Sequence, residues 1–72
     1  MRVTIDTKAK MAKIYIVDHI GRGEAVRTDA LVLQRHLVNL DWNSDEQLIG
    51  VEIGLSELPP EARMIAEDIT SR

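Results

Sequence analysis

Seventy-two residues with a net charge of −3 and no cysteine make one domain with a thin core, taken here as residues 1–72. A domain this small buries only about 60% of its unfolded surface, so a stabilising supplement is expected. The missing cysteines exclude disulfides and thiolate zinc sites, and two histidines, His19 and His36, are too few for a metal site without carboxylate help. No cofactor is expected, and oligomerisation, most simply a homodimer, is the supplement that remains.

No apolar run approaches the roughly 20 residues that cross a bilayer, and no basic region followed by an apolar core opens the chain. The expectation is a cytoplasmic protein with no membrane partner. Val, Ile and Thr are frequent and Phe is absent, a composition that suits strands more than helices. Charge is uneven: residues 1–36 hold seven Lys/Arg against four Asp/Glu, and residues 37–72 hold two against eight. Halves of opposite sign can attract each other within a fold or across a symmetric dimer. The alternative, a basic nucleic-acid surface, is disfavoured by the acidic balance of the whole chain.

Residues 1–6 alternate Val3 and Ile5 with Arg2, Thr4 and Asp6, which predicts a short half-buried strand. Thr7, Lys8, Ala9 and Lys10 form a turn in which Asp6 can accept backbone amides, and residues 11–17 return as a second strand. Setting Ile5 opposite Ala12 and Val3 opposite Ile14 places Val3, Ile5, Ala12, Ile14 and Ile16 on one face. Arg2, Thr4, Lys13 and Tyr15 fall on the other, and a one-residue slip would exchange the two. The loop 18–24 carries Gly21 and Gly23, but the following Lys-Ser/Thr of a phosphate loop is missing. His19 has no neighbouring nucleophile and is expected to be a solvated loop histidine.

A third strand begins at residues 25–28, with a bulge or bend expected at Asp29-Ala30, and Leu31 to Leu33 continue it or start a short fourth. A helical turn capped by Asp29 is the competing reading of that run. Residues 38–53 then form the clearest hairpin, with four turn-prone residues between two alternating runs. Pairing Trp42 with Gln47 sets Leu40 opposite Ile49 and Val38 opposite Val51. Val38, Leu40, Trp42, Ile49, Val51 and Ile53 become core, while Leu37, Asn39, Asp41, Leu48, Gly50 and Glu52 face away. Leu37 and Leu48 are awkward on that second face if nothing covers it. Pro59-Pro60 starts a helix expected over residues 59–70, with Leu58, Ala62, Ile65, Ala66 and Ile69 recurring at helical spacing. Too short to stand alone, it must dock on the sheet. The predicted fold is therefore α+β: an antiparallel meander of four to five strands (residues 1–53) with one C-terminal helix packed on one face.

The runs Asp6-x-x-Ala9-x-Met11-Ala12-x-Ile14-Tyr15-Ile16, Gly23-Glu24-Ala25-Val26-Arg27-Thr28, Leu40-Asp41 and Leu48-Ile49-Gly50-Val51-Glu52-Ile53, followed by Leu58-Pro59-x-Glu61, resemble the bacterial domain-of-unknown-function family 2283. The resemblance covers nearly the whole chain. It implies an antiparallel sheet with a C-terminal helix in a small bacterial or phage protein, and it implies no activity. Members encoded beside small toxin-like proteins suggest an antitoxin or accessory role. Thr7, Lys10 and Glu46 depart from the family, which usually has Pro and Asp at the first two places and in many members Gly at the third. A Gly at position 46 would suit positive φ, whereas Glu there costs about 1 kcal/mol or selects another turn.

The polar residues shared with the family are Asp6, Tyr15, Arg27, Thr28, Asn39, Asp41 and Glu52. Two carboxylates with a Tyr and an Arg could bind a cation or act as acid and base, but a salt-bridged, hydrogen-bonded face is the expected arrangement. No Ser/His/acid ordering and no His-x-x-His spacing supports catalysis, so a non-enzymatic interaction module is expected. Its candidate interaction face is Tyr15, Arg27, Leu37, Asn39, Asp41, Leu48 and Glu52, with itself or another small protein as partner. A nucleic-acid accessory protein using Arg2, Lys8, Lys10 and Lys13 is the alternative.

Overall fold

The structure, a computed structural model, describes residues 1–70; residues 71 and 72 of the single-domain reading lie outside them. Five strands come first in the chain: β1 (Arg2–Asp6), β2 (Met11–Tyr15), β3 (Arg27–Leu33), β4 (His36–Trp42) and β5 (Leu48–Gly54). A single 3₁₀ turn (Leu55–Glu57), the helix α1 (Pro60–Met64) and a two-residue strand β6 (Glu67–Asp68) follow. The expected α+β class, a sheet with a helix on it, is what the chain forms. Among the described residues no helix is long and apolar enough to cross a membrane.

The first hairpin adopts the register that its alternation predicts, with Val3 opposite Ile14 and Ile5 opposite Ala12. Strand order is β3-β4-β5-β2-β1-β6, so the sheet is a β1–β2 hairpin joined to a β3–β4–β5 meander through antiparallel pairing of β2 with β5. That junction puts Ala12 beside Ile53 and Ile14 beside Val51, aligning the apolar faces of two segments far apart in sequence. It corrects the simple meander, in which β2 would have met β3.

Three further expectations are corrected. The β3–β4 ladder runs without a shift from Arg27 opposite Trp42 to Leu33 opposite His36, so no bulge interrupts Asp29-Ala30. The irregularity lies in β5 instead. Leu40 pairs with Val51 and Asp41 with Gly50, yet Trp42 pairs with Leu48, leaving Ile49 as the extra residue. The expected partner of Leu40 therefore moves by two residues, from Ile49 to Val51, which preserves the faces of β4. The turn is longer than four residues because Asn43 organises it, its Oδ1 accepting the amides of Asp45 (3.0 Å) and Gln47 (2.9 Å).

The third correction is the helix. It starts where Pro59-Pro60 predicts, with Pro59 as N-cap, but ends at Met64 rather than near residue 70. The amides of Ile65 and Ala66 bond to the carbonyls of Ala62 and Arg63, three residues back, which tightens and closes the helix. The chain then lies parallel to β1, with Thr4 beside Glu67, Ile5 beside Asp68 and the Ile69 amide on the Ile5 carbonyl at 2.9 Å. A helix this short has little intrinsic stability, so the backbone partners offered by the β1 edge win. Ile65, expected on the buried stripe, is 70% exposed.

The core sits on one face of this end of the sheet. Val3, Ile5, Ala12 and Leu58 are buried together, with Ile14, Ile53, Leu55, Ala62 and Ala66 packed around them.

Candidate functional site

The opposite face of the sheet carries the polar cluster. Tyr15, Gly50, Asp41 and Thr28 follow one another across β2, β5, β4 and β3, and Lys13, Glu52 and Asn39 form the next row. Asp41 is buried at 8% exposure and is satisfied twice, by the Thr28 hydroxyl donating to Oδ1 at 2.6 Å and by Lys13 Nζ at 3.2 Å from Oδ2. Asn39 donates to Glu52 Oε1 at 3.1 Å. Lys13 reaches Asp41 across the adjacent strand because Gly50 stands between them. A Cβ on Gly50 would lie 3.3 Å from Asp41 Oδ2, 3.5 Å from Lys13 Cε and 3.0 Å from Ile20 Cδ1. Glycine at position 50 thus makes room for an ion pair lidded by the loop residue Ile20. The same loop is tied down by Arg2 Nη1 donating to the Asp18 carbonyl at 3.3 Å and by the Ile16 amide on the Ile49 carbonyl at 3.0 Å.

Beside the cluster lies an open groove of about 160 Å³ lined by Thr4, Asp6, Met11, Tyr15, Glu52 and Ile69. Its acidic side chains are already engaged: Glu52 by Asn39, and Asp6 by the Ala9 amide at 3.0 Å. Two carboxylates, a lysine and a tyrosine are therefore near one another but already partnered, the condition of a structural polar face.

Of the seven residues assigned to the interaction face, Tyr15, Asn39, Asp41 and Glu52 come together. Arg27 does not join them. It pairs with Trp42, its guanidinium 5.3 Å from the ring centre, and with Asp29 Oδ2 at 3.4 Å, on the core side of the sheet. Leu48 leaves as well, because the bulge at Ile49 sets it opposite Trp42, where it is half-buried. Leu37 stays on the polar side, paired with Val32 and 48% exposed.

The basic set does not form one surface. Lys13 is neutralised by Asp41, Arg2 lies over the Tyr15 ring at 4.3 Å, and only Lys8 and Lys10 stand exposed in the first turn.

The largest unpartnered feature is the β3–β4 hairpin. Leu31 (41%), Val32 (71%), Leu33 (58%) and Leu37 (48%) are exposed at its far end. α1 lies over β1, and the half-buried Val38, Leu40 and Trp42 are not part of the cluster that it covers. β3 is also the outer strand, so among the described residues one side of its backbone is unpaired over seven residues, against two residues at the β6 edge. Sequence reasoning placed Leu37 here but left out Leu31, Val32 and Leu33. The signal was present: three successive apolar residues cannot all face one side of a strand, so at least one must meet solvent or a partner.

No protein-family model, curated protein or solved structure matches the chain.

Proposed function

We propose that this protein is a small non-enzymatic interaction module whose working surface is the open β3–β4 half of its sheet. The observation that carries the reading is the seven-residue outer strand β3, with its Leu31-Val32-Leu33 run exposed beside Leu37. Leu31 and Leu33 lie on the core side of the strand and Val32 and Leu37 on the polar side, so exposed apolar side chains flank the open edge from both faces. An unpaired edge adds backbone donors and acceptors that a second polypeptide strand can satisfy. The polar cluster around Asp41 supports the same reading from the other side, since its groups bind one another and so hold the strands in register. The partner is a second copy of the chain or another small protein, in the cytoplasm, with neither nucleic acid nor membrane required. The resemblance to family 2283 agrees with a bacterial accessory role.

The test compares wild type with a Val32→Lys/Leu37→Lys variant whose fold is checked by circular dichroism. Mass by light scattering and affinity capture from the host are measured for both. Loss of every bound species in the variant, self or foreign, supports the reading; a folded variant that keeps them all sinks it.

A further inference from the structure

We infer that the occupant of the open edge is a second copy of this chain, joined by antiparallel pairing of β3 with β3 about a two-fold axis at Ala30. This rests on the interaction reading above and names its partner.

The register follows from the turn and the side chains. Leu33 pairs with His36 across a two-residue turn, Gln34-Arg35, both with positive φ (49° and 74°). Such a turn closes on a hydrogen-bonded pair, so Leu33, Leu31 and Asp29 direct their backbone groups at β4, while Val32, Ala30 and Thr28 direct theirs outward. The three outward residues are symmetric about Ala30. Placing Ala30 on Ala30 sets Thr28 against Val32 of the second copy, two β-branched residues, and overlaps all seven residues of the strand. Arg27 then faces Leu33 and Asp29 faces Leu31, so no like charges meet, and Arg27 and Asp29 keep their pairing within each copy.

Neighbouring registers do worse: a two-fold axis at Leu31 overlaps only residues 29–33, five of the seven, and runs Thr28 and Arg27 onto the turn residues Gln34 and Arg35. A two-fold axis at Asp29 sets the two Asp29 carboxylates opposite each other. An axis at Val32 joins the aliphatic residues but runs the overlap onto Gln34 and Arg35, which are not extended. The chosen pairing is isologous, so it uses the open edge of both copies and stops at two. The remaining edges are the two-residue β6 strands, too short to recruit more chains. The area buried, on the order of 1,000 Å² in total, sits at the lower limit for a specific interface, so the dimer is expected to form in a concentration-dependent way.

The chain has no cysteine, so a single engineered thiol reports the contact. With the axis at Ala30, two Ala30→Cys residues lie about 5.5 Å apart between Cα atoms, within disulfide reach. Two Val32→Cys residues are offset by four strand positions, about 14 Å, and out of reach. Under mild oxidation Ala30→Cys is expected to form a covalent dimer at least ~10-fold faster than Val32→Cys. The expected companion result is a wild-type mass that rises towards twice the chain with concentration. Preferential linking at Val32→Cys overturns this register while leaving the interaction reading intact. A monomeric mass at millimolar concentration overturns self-pairing, and the capture of a foreign protein sensitive to Val32→Lys/Leu37→Lys then keeps the broader reading alive.

Discussion

The two ends of this sheet solve the small-domain problem in opposite ways. At the β1–β2 end the apolar face is covered by Leu55, Leu58, Ala62 and Ala66, and the outer edge is closed by β6 and the Thr70 hydroxyl, which contacts the Thr7 hydroxyl at 2.9 Å and accepts its amide at 2.8 Å. At the β3–β4 end the Glu57 carboxylate reaches His36, but among the described residues β3 has no edge partner and its outer residues are exposed. Each end also buries one N–H without a hydrogen-bond partner, the Arg2 Nε–H at the first and the Trp42 indole N–H at the second. One short helix cannot cover both halves. The half that it covers holds the main buried cluster, and the half that it leaves is the one proposed to bind.

That contrast breaks if truncations in the two halves cost the same. Leu58→Ala, at 6% exposure in the covered half, is expected to lose about 2–4 kcal/mol in urea denaturation, whereas Val32→Ala at the open edge should stay within about 0.5 kcal/mol in dilute monomer. Equal losses would mean that the open half is as closely packed as the covered one.

The polar face sharpens the comparison. Asp41→Ala leaves Lys13 and Thr28 without their shared partner and is expected to cost about 1–3 kcal/mol. Asp29→Ala removes only the solvent-screened pair with Arg27 on the outer strand, expected to be under about 0.5 kcal/mol. A reversed ranking in thermal melts would remove the structural role given to the Asp41 cluster.

A smaller effect concerns the turns. Lys10, Gln34, Arg35 and Glu46 all take positive φ although none is glycine, and all sit at hairpin turns. Replacing Gln34-Arg35 by Asn-Gly suits the two-residue turn and is expected to stabilise by about 1 kcal/mol. A neutral or negative change would place the strain elsewhere.

The smallest expected effect belongs to the β6 edge. The Thr70 hydroxyl (2.5 Å) and amide (2.9 Å) both donate to Asp68 Oδ1 and hold that carboxyl below its ordinary value of 3.8. A depressed folded pKa means that the contribution is fully present above the unfolded value and is lost as pH falls through the lowered one. An NMR titration of Asp68 should therefore show a midpoint below 3.8, moving part of the way back in Thr70→Ala, which loses the hydroxyl bond and keeps the amide bond. A midpoint at or above 3.8 in the wild type would rule out the restraint.

Legibility in the sequence followed the range of the interactions. The first hairpin was readable residue by residue, because Val3, Ile5, Ala12 and Ile14 leave a single register that buries one face. Glu46 kept the left-handed conformation despite its cost, with φ 60°, because the Asn43 side chain fixes the turn around it. Among the candidate site residues, Asn39, Asp41 and Glu52 were placed together by alternation alone, whereas Tyr15 was expected beside them only through a simple meander and joins them instead through the β2–β5 pairing. Arg27 and Leu48 were misplaced because the order of the strands and a bulge decided their faces, and neither is written in a local pattern.

The sequence by itself determined the α+β class, the first hairpin, the start of the helix and the two-sidedness of the strands that it predicted, since a period of two and a Pro-Pro break act over a few residues. Only the tertiary structure decided that β5 would pair with β2, that the helix would stop at Met64 to add a strand to β1, and that β3 would be left uncovered. Those outcomes depend on which distant backbone groups and apolar faces compete for each other, and the winner is set by the energy of the whole sheet rather than by any one segment.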